Sequence, residues 1–148
     1  MKKWISLTVL ALTLSGTALA QVRKIPSEVT EAFDKQYPTA KEVEYKDVLT
    51  GINVQFLQDS ARWIARYNPK GLWKESEKAW SYERLSPEIR DGFIKSKYAA
   101  EWKVTETAII YVPGSEEKYR LKVEKNELQK KCLYFDKTGR LLRDAVTI

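Results

Sequence analysis

The sequence predicts an α+β fold in which two helices each precede about four antiparallel strands. Two stretches carry apolar residues at helical spacing, and each is followed by segments in which apolar and polar residues alternate between turn signals. The two helical stretches also resemble each other. We therefore expect two tandem helix-plus-antiparallel-strand repeats, written α-β-β-β-β. They would form a largely continuous antiparallel sheet with both helices on one face.

The resemblance between the two helical stretches sets the domain boundaries. Residues 27–33 return sixty positions later as residues 87–93, so that Val29 corresponds to Ile89 and Phe33 to Phe93. A half of ~60 residues buries little surface and is marginal by itself. Two halves that share one sheet bury more apolar surface and leave fewer free strand edges. We expect one repeat over residues 21–82 and the other over residues 83–148.

The first twenty residues have the pattern of a secretory signal peptide. Lys2 and Lys3 precede an apolar run, and Ala18-Leu19-Ala20 is a small-x-small cleavage pattern. The apolar run is shorter than the ~20 residues that a membrane span needs. We expect cleavage after Ala20, a periplasmic or secreted mature protein, and no membrane insertion after cleavage.

The first half begins with a helix. Pro26 suits a first helical turn, Val29 and Phe33 lie on one apolar face, and Pro38 disfavours helical geometry at the residue before it. Period-two alternation then predicts four strands, separated by Thr50-Gly51, Asp59-Ser60 and an Asn-Pro-Lys-Gly turn. The expected strands span residues 41–49, 52–57, 61–67 and 72–80.

The second half repeats this order. Ser86, Pro87 and Glu88 form a helix start in series, and Ile89 and Phe93 form the buried side of the helix. Turn signals follow at residues 113–114, 126 and 136–139. The expected strands span residues 102–112, 119–124, 128–135 and 140–148.

Composition excludes several classes of function. The chain has no histidine, which removes the commonest metal ligand and general base. Its one cysteine, Cys132, cannot form an intramolecular disulfide. The formal charge of +6 comes from lysine and arginine mixed with acidic residues throughout, so nucleic-acid binding is not indicated. We expect no enzymatic activity, no cofactor and no metal.

Three loose motifs together resemble a known family. They are Ile25-Pro26-x-x-Val29-x-x-x-Phe33, Trp63-x-x-x-Tyr67-Asn68-x-x-Gly71-x-Trp73, and Tyr134-Phe135-Asp136-x-x-Gly139. In this order they resemble the PepSY-like group of exported bacterial proteins, which is also described as similar to β-lactamase-inhibitor protein. The resemblance implies tandem α/β repeats, an envelope location and no catalytic residues. That inhibitor grips its target on a concave sheet surface, but no contact motif here matches it, and its cysteine pairs are absent.

Alternation along the strands predicts which side chains the uncovered sheet face carries. Arginine and lysine would make this face basic, with scattered apolar side chains between them. Such a face suits an acidic patch on an envelope protein, with arginine and tyrosine as anchors. An ordinary solvated sheet face remains the other interpretation. The candidate partner-binding residues are Arg62, Ile64, Arg66, Arg120, Lys122 and Tyr134.

An alternative function is binding of a small ligand or glycan by exposed aromatics. Trp73 and Trp80 are its candidates, because the facing of the fourth strand is ambiguous, whereas Trp63 shares a face with core residues. Cys132 is expected to be a small buried hydrophobe. The acid pairs Glu75/Glu77 and Glu116/Glu117 are expected to be solvated. The sequence leaves the partner and the oligomeric state open.

Overall fold

The computed structural model describes residues 24–147. The predicted signal peptide, residues 1–20, lies outside the described residues. Within residues 24–147, neither helix has the length and hydrophobicity needed to cross a membrane.

Two helices and eight strands make up the described part of the chain. The strands form one antiparallel sheet in chain order, so each strand pairs with its sequence neighbours. This confirms the predicted α+β class and the continuous antiparallel sheet. The elements are α1 Ser27–Gln36, β1 Lys41–Val48, β2 Gly51–Gln58, β3 Ala61–Tyr67, β4 Trp73–Trp80, a 3₁₀ turn Tyr82–Arg84, α2 Pro87–Ile94, β5 Lys103–Tyr111, β6 Lys118–Asn126, β7 Gln129–Phe135 and β8 Leu141–Val146.

Each helix buries the two apolar residues that its spacing predicts. In α1 these are Val29 and Phe33, and the Phe33 ring meets Phe56 edge-on at 4.9 Å between ring centroids. In α2 they are Ile89 and Phe93. The helix α2 starts as expected, since the backbone N–H of Ile89 donates to the Ser86 hydroxyl at 3.5 Å.

The buried side chains form two separate cores. The first core combines the apolar face of α1 with alternate residues of β2 and β3: Val29, Phe33, Ile52, Val54, Phe56, Ala65 and Tyr67. The second core combines α2 and the segment around it with alternate residues of β6 and β7: Leu85, Ile89, Phe93, Tyr98, Leu121, Val123, Leu133 and Phe135.

The strand register relates the two cores to each other. Directly paired residues of neighbouring strands point to the same face of a sheet, as do residues two apart in one strand. Ala65 of the first core pairs with Ser76, and Ser76 pairs with Tyr111. Further along, Ile109 pairs with Tyr119, which pairs with Phe135 of the second core. The strand residues of both cores therefore point to the same face of the sheet.

Equivalent turns touch the helix in each half. The turn after β3 approaches α1 so closely that a Cβ on Gly71 would lie 2.4 Å from the carbonyl oxygen of Glu28. The turn after β7 does the same to α2, where a Cβ on Gly139 would lie 2.0 Å from the carbonyl oxygen of Glu88. Both glycines have positive φ, +79° and +82°. Two features therefore require glycine at each position: the left-handed backbone and the close approach of the helix.

The side chain that opens each of these turns has the same role. Asn68 Oδ1 accepts hydrogen bonds from the backbone N–H groups of Lys70 and Leu72, at 3.0 and 2.9 Å. Asp136 Oδ1 accepts from those of Thr138 and Arg140, at 2.9 and 3.1 Å. Both residues stabilise the turn that brings the glycine to the helix.

A polar cluster ties the outermost strand to the segment that follows α2. The buried Tyr98 hydroxyl donates to the Asp144 carboxylate on β8, and Lys131 Nζ lies 3.0 Å from the same carboxylate. The hydrogen bond from Tyr98, followed by that from Lys131, lowers the pKa of Asp144 from 3.8 to about 2. The ionised carboxylate is therefore the form that the folded state prefers.

We predict that Gly139→Ala costs about 3 kcal/mol of unfolding free energy, because the new Cβ meets backbone that cannot move aside. Gly114→Ala is the matched control: its φ is +66°, but nothing lies within 4 Å of the added Cβ. The control should lose about 1 kcal/mol, the cost of left-handed geometry alone. Urea unfolding measures both, and equal losses would contradict a close helix contact.

We also predict a specific acid sensitivity from Asp144. Its pKa is lower in the folded chain, so its contribution to stability is complete above the ordinary value of 3.8 and is lost as pH falls toward about 2. Melting temperature should therefore fall less steeply across this range in Asp144→Asn than in the parent. Tyr98→Phe keeps the carboxyl group but removes its main donor, so it should flatten the same profile. If melting temperature depended on pH in the same way in the parent and both variants, Asp144 would not be the source of the acid sensitivity.

Candidate functional site

The sheet face opposite the cores is defined here as the open face. The register places all six predicted partner-binding residues on this face, because each alternates with a core residue of its strand. Arg62, Ile64 and Arg66 lie on β3, whereas Arg120, Lys122 and Tyr134 lie on β6 and β7. Strands β4 and β5 separate the two groups. The open face therefore spans both halves of the chain.

Glu77 on β4 connects the two groups. Its carboxylate accepts from Arg66 Nη2 at 3.2 Å and from Arg120 Nη1 at 2.9 Å, and Arg120 Nη2 donates to its other oxygen. Arg66 Nη1 also donates to Glu75, at 2.7 Å. The side chains of Glu77 and Arg120 are only 13% and 17% exposed. This is a largely desolvated ion-pair network, which differs from the solvated acid pair that the sequence predicts.

The network lies across β5. Ala108 pairs with Ala79 on one side and with Arg120 on the other, and Ile110 pairs with Glu77. Although they are on the open face, Ala108 and Ile110 are 2% and 5% exposed. The small side chain at position 108 leaves room for Arg120 to reach across to Glu77. Guanidinium and carboxylate groups thus cover the centre of the face.

The charges of the open face differ from the basic surface that the sequence predicts. Arg66 and Arg120 are paired with carboxylates, and Lys122 Nζ lies 2.9 Å from Glu106. The hydrogen bond to Glu106 raises the pKa of Lys122. Burial lowers the pKa of Arg120, but the hydrogen bonds and charge of Glu77 outweigh this effect. The face is less basic than predicted because carboxylates on neighbouring strands neutralise these arginine and lysine charges.

Positive charge still exceeds negative charge on the β5–β8 part of the open face. Tyr134 lies there under the guanidinium of Arg143, with 4.1 Å between Arg143 Cζ and the ring centroid. The cations in this part are Lys103, Lys118, Arg120, Lys122, Lys130 and Arg143, and the carboxylates are Glu106 and Glu124.

A cavity opens at the other end of the face. It has a volume of about 350 Å³ and lies between the starts of β1 and β3 and the end of β2. Two of the predicted residues, Arg62 and Ile64, line it. The full lining is Glu42, Glu44, Gln55, Phe56, Leu57, Arg62, Trp63 and Ile64. Sequence analysis gave no indication of this cavity.

The tryptophans considered for glycan binding are engaged within the protein. Trp73 packs against the first core, and its indole N–H donates to the buried Ser76 hydroxyl at 2.8 Å. Trp80 packs against the second core and lies beneath Lys78 and Arg84, at 5.0 and 4.0 Å from the ring centroid. The register places both on the face to which the core residues point. Neither ring offers the bare stacking platform that a sugar needs.

The burial and facing of Cys132 also differ from the prediction. It pairs with Lys122 and Ala145 on the open face and is half-buried, with its sulfur 3.3 Å from the Thr147 hydroxyl. The prediction of a buried hydrophobe was wrong because the apolar residue that alternates into the core is its neighbour Leu133.

The second acid pair is only partly solvated: Glu117 is half-buried and accepts a hydrogen bond from the Tyr119 hydroxyl, whereas Glu116 is exposed as expected. Glu116 pairs with Lys137 at 2.7 Å, and both side chains are well exposed. Among residues 24–147, no three or more cysteine and acidic side chains come together in an arrangement that could hold a metal ion.

Comparisons with solved structures show the same fold in bacterial proteins. A BLIP-like protein from Bacteroides fragilis matches with a TM-score of 0.75 at 22% identity, covering 85% of this chain and 89% of that one. A DUF2874 family protein from Bacteroides ovatus has the same TM-score at 23% identity, with 84% and 89% covered. A Bacteroides eggerthii protein, provisionally described as periplasmic, has a TM-score of 0.73 at 18% identity, with 84% and 90% covered. No family model and no curated protein matches the chain.

We predict that Glu77→Gln costs about 2 kcal/mol of unfolding free energy, because two arginines lose a charged acceptor in a largely desolvated place. Glu106→Gln removes a carboxylate on the same face that is 58% exposed, and it should cost about 0.5 kcal/mol or less. Urea unfolding of both variants measures the difference. Similar losses would show that the network is not desolvated in solution.

Proposed function

We propose that this chain is an exported, non-enzymatic binding module that recognises a protein of the cell envelope through the open face. The observation that supports the proposal is the sheet itself: the strand residues of both cores point to one face, and the opposite face of the eight strands carries mainly polar and charged side chains. The likeness to a BLIP-like protein supports a non-catalytic, protein-binding function. The lack of histidine throughout the sequence is in keeping with it.

The chemistry of the open face suits a protein partner. The Glu77 network holds its central side chains in one arrangement, so binding would order few additional groups there. Around it, Tyr134 stacked with Arg143 provides the aromatic and guanidinium groups that often anchor protein interfaces. The excess of cations on the β5–β8 part would attract an acidic patch of the partner.

The proposal includes export of the protein to the periplasm and a fold built from two tandem repeats. The lysines at positions 2 and 3, the apolar run and the Ala-Leu-Ala pattern support a cleaved signal peptide over residues 1–20 and a periplasmic location. The likeness to the Bacteroides eggerthii protein supports the same compartment. The matching contacts of Gly71 and Gly139 support PepSY-like tandem repeats over residues 21–82 and 83–148.

Site-specific photo-cross-linking in the native envelope tests this function. A photoreactive phenylalanine analogue replaces Tyr134 on the open face or, as the control, Lys35 on the exposed side of α1. We expect one envelope protein to be cross-linked from position 134 and not from position 35. Equal capture from both positions would contradict recognition through the open face.

Charge reversal then tests whether the capture depends on this face. Arg62→Glu with Arg143→Glu should reduce cross-linking from position 134 about tenfold, because both cations are exposed on the open face. The matched control is Lys35→Glu with Lys70→Glu, which changes the net charge equally on residues outside the sheet. Undiminished capture by the first pair would refute the proposed interface.

A further inference from the structure

The cavity at the β1–β3 end of the open face, called here the end pocket, forms where β1 is irregular. The β1–β2 register shifts between Lys41 and Glu44, which marks a β-bulge in an edge strand. Within it, Glu42 has φ 50°, in the left-handed region that non-glycine residues rarely adopt. A bulge bends its strand and redirects its side chains. Here both Glu42 and Glu44 line the cavity, whose volume is about 350 Å³.

The end pocket has an apolar floor within a mainly polar face. Leu57 of β2 and Ile64 of β3 line it, and both are half-buried. They are diagonal neighbours, because Leu57 pairs with Arg62 and Ile64 pairs with the uncharged Gln55. An apolar centre with a polar surround is the arrangement found at the anchors of protein interfaces.

The charges around this floor are of both signs. Glu44 lies 3.5 Å from Lys46. Lys41, Glu42 and Arg62 have no ion-pair partner among residues 24–147. Two carboxylates and three cations therefore surround the floor, so the pocket does not favour a charged side chain of either sign. Its occupant is expected to be uncharged.

The positions of the unpaired cations favour an aromatic group over an aliphatic one. Leu57 pairs with Lys41 on one side and with Arg62 on the other, so these two cations flank it in one row across three strands. Neighbouring strands lie about 4.8 Å apart, so a ring resting on Leu57 would be within reach of both cations. Cations are attracted to the face of an aromatic ring. The edge of the ring carries partial positive charge, which suits the carboxylates of Glu42 and Glu44.

The same chemistry occurs elsewhere on the open face. Tyr134 pairs with Arg120 on one side and with Arg143 on the other, and the Arg143 guanidinium lies over its ring. In the row through the end pocket, the residue between the two cations is a leucine. Within residues 24–147, neither of these cations, Lys41 or Arg62, contacts an aromatic ring. A ring supplied from outside would complete this row.

We propose that the end pocket receives an aromatic side chain presented by the partner protein. This rests on the proposed function and specifies the chemistry of one anchor. The end pocket lies at one end of the open face, and the excess of cations lies on the β5–β8 part. A partner with an exposed aromatic residue and an acidic patch at matching separation would therefore dock in one orientation.

Titration with small probes tests the pocket without the partner. The probes are N-acetyl-phenylalanine methylamide, its cyclohexylalanine analogue, which keeps the size and apolar character without the π-system, and the lysine and glutamate analogues. Methyl shifts of Leu57 and Ile64 are followed by NMR in the mature protein. We expect saturable phenylalanine binding with Kd on the order of 1 mM and upfield ring-current shifts of both methyl groups. The other three probes should bind at least about threefold more weakly.

Variants identify the groups responsible. Lys41→Gln with Arg62→Gln should weaken phenylalanine-probe binding at least about threefold and remove its advantage over the cyclohexylalanine probe. Leu57→Ser reduces the apolar floor, so it should weaken both probes and keep that advantage. The matched control, Lys118→Gln with Arg143→Gln, removes two cations from the β5–β8 part of the open face and should change nothing.

Four results would overturn the proposal. They are equal or tighter binding of the cyclohexylalanine probe, preference for the lysine or glutamate probe, shifts that do not saturate, and binding of the phenylalanine probe that is unaffected by the Lys41 and Arg62 changes.

The two proposals fail in different ways. Cross-linking from position 134 that persists while the phenylalanine probe does not bind would retain the protein-binding face and reject its aromatic anchor. Saturable phenylalanine binding that requires Lys41 and Arg62 supports the pocket chemistry even if cross-linking from position 134 captures nothing. In that case the proposed protein-binding function would be rejected.

Discussion

The whole structure depends on the pairing of β4 with β5, which joins two helix-covered halves into one sheet. Each half has about 60 residues, a size at which a domain gains little from burial. The two cores share no residue, so the joint must hold through the sheet and the side chains on either side of it. Five register pairs, from Ser76–Tyr111 to Trp80–Thr107, form this joint.

Side chains reinforce the joint on both faces. On the core side, Trp63 of the first half stacks on Tyr111 of the second, with 5.6 Å between ring centroids. On the open side, Glu77 holds an arginine from each half. An aromatic pair therefore connects the halves on the core side of the sheet, and ion pairs connect them on the open face. The centre of the candidate binding surface is thus also part of the joint between the halves.

The sequence predicted more of the fold than of the site, for physical reasons. Helical spacing and turn residues are local signals, so the element order and the facing of Arg62 or Tyr134 follow from neighbours in the chain. The bond between Glu77 and Arg120 joins residues 43 positions apart and depends on the register of β4, β5 and β6. The alternation of Glu75, Glu77 and Ala79 was a usable signal, because it places these acids on the face that carries the arginines. The bulge at Glu42 interrupts a regularly alternating segment without glycine or proline, so nothing in the sequence marks it.

The order of the sheet, β1 to β8 without a crossover, has a consequence for how the chain reaches this structure. Each strand pairs with the strand just before or after it, so most of the loops that must close are short and cost little chain entropy, and only the connection between β4 and β5, residues 81–102 with α2, is long. Such topologies have low contact order and tend to fold faster than sandwiches, whose strands pair across distant parts of the sequence. The sheet can grow hairpin by hairpin as the polypeptide emerges, before the last strand exists.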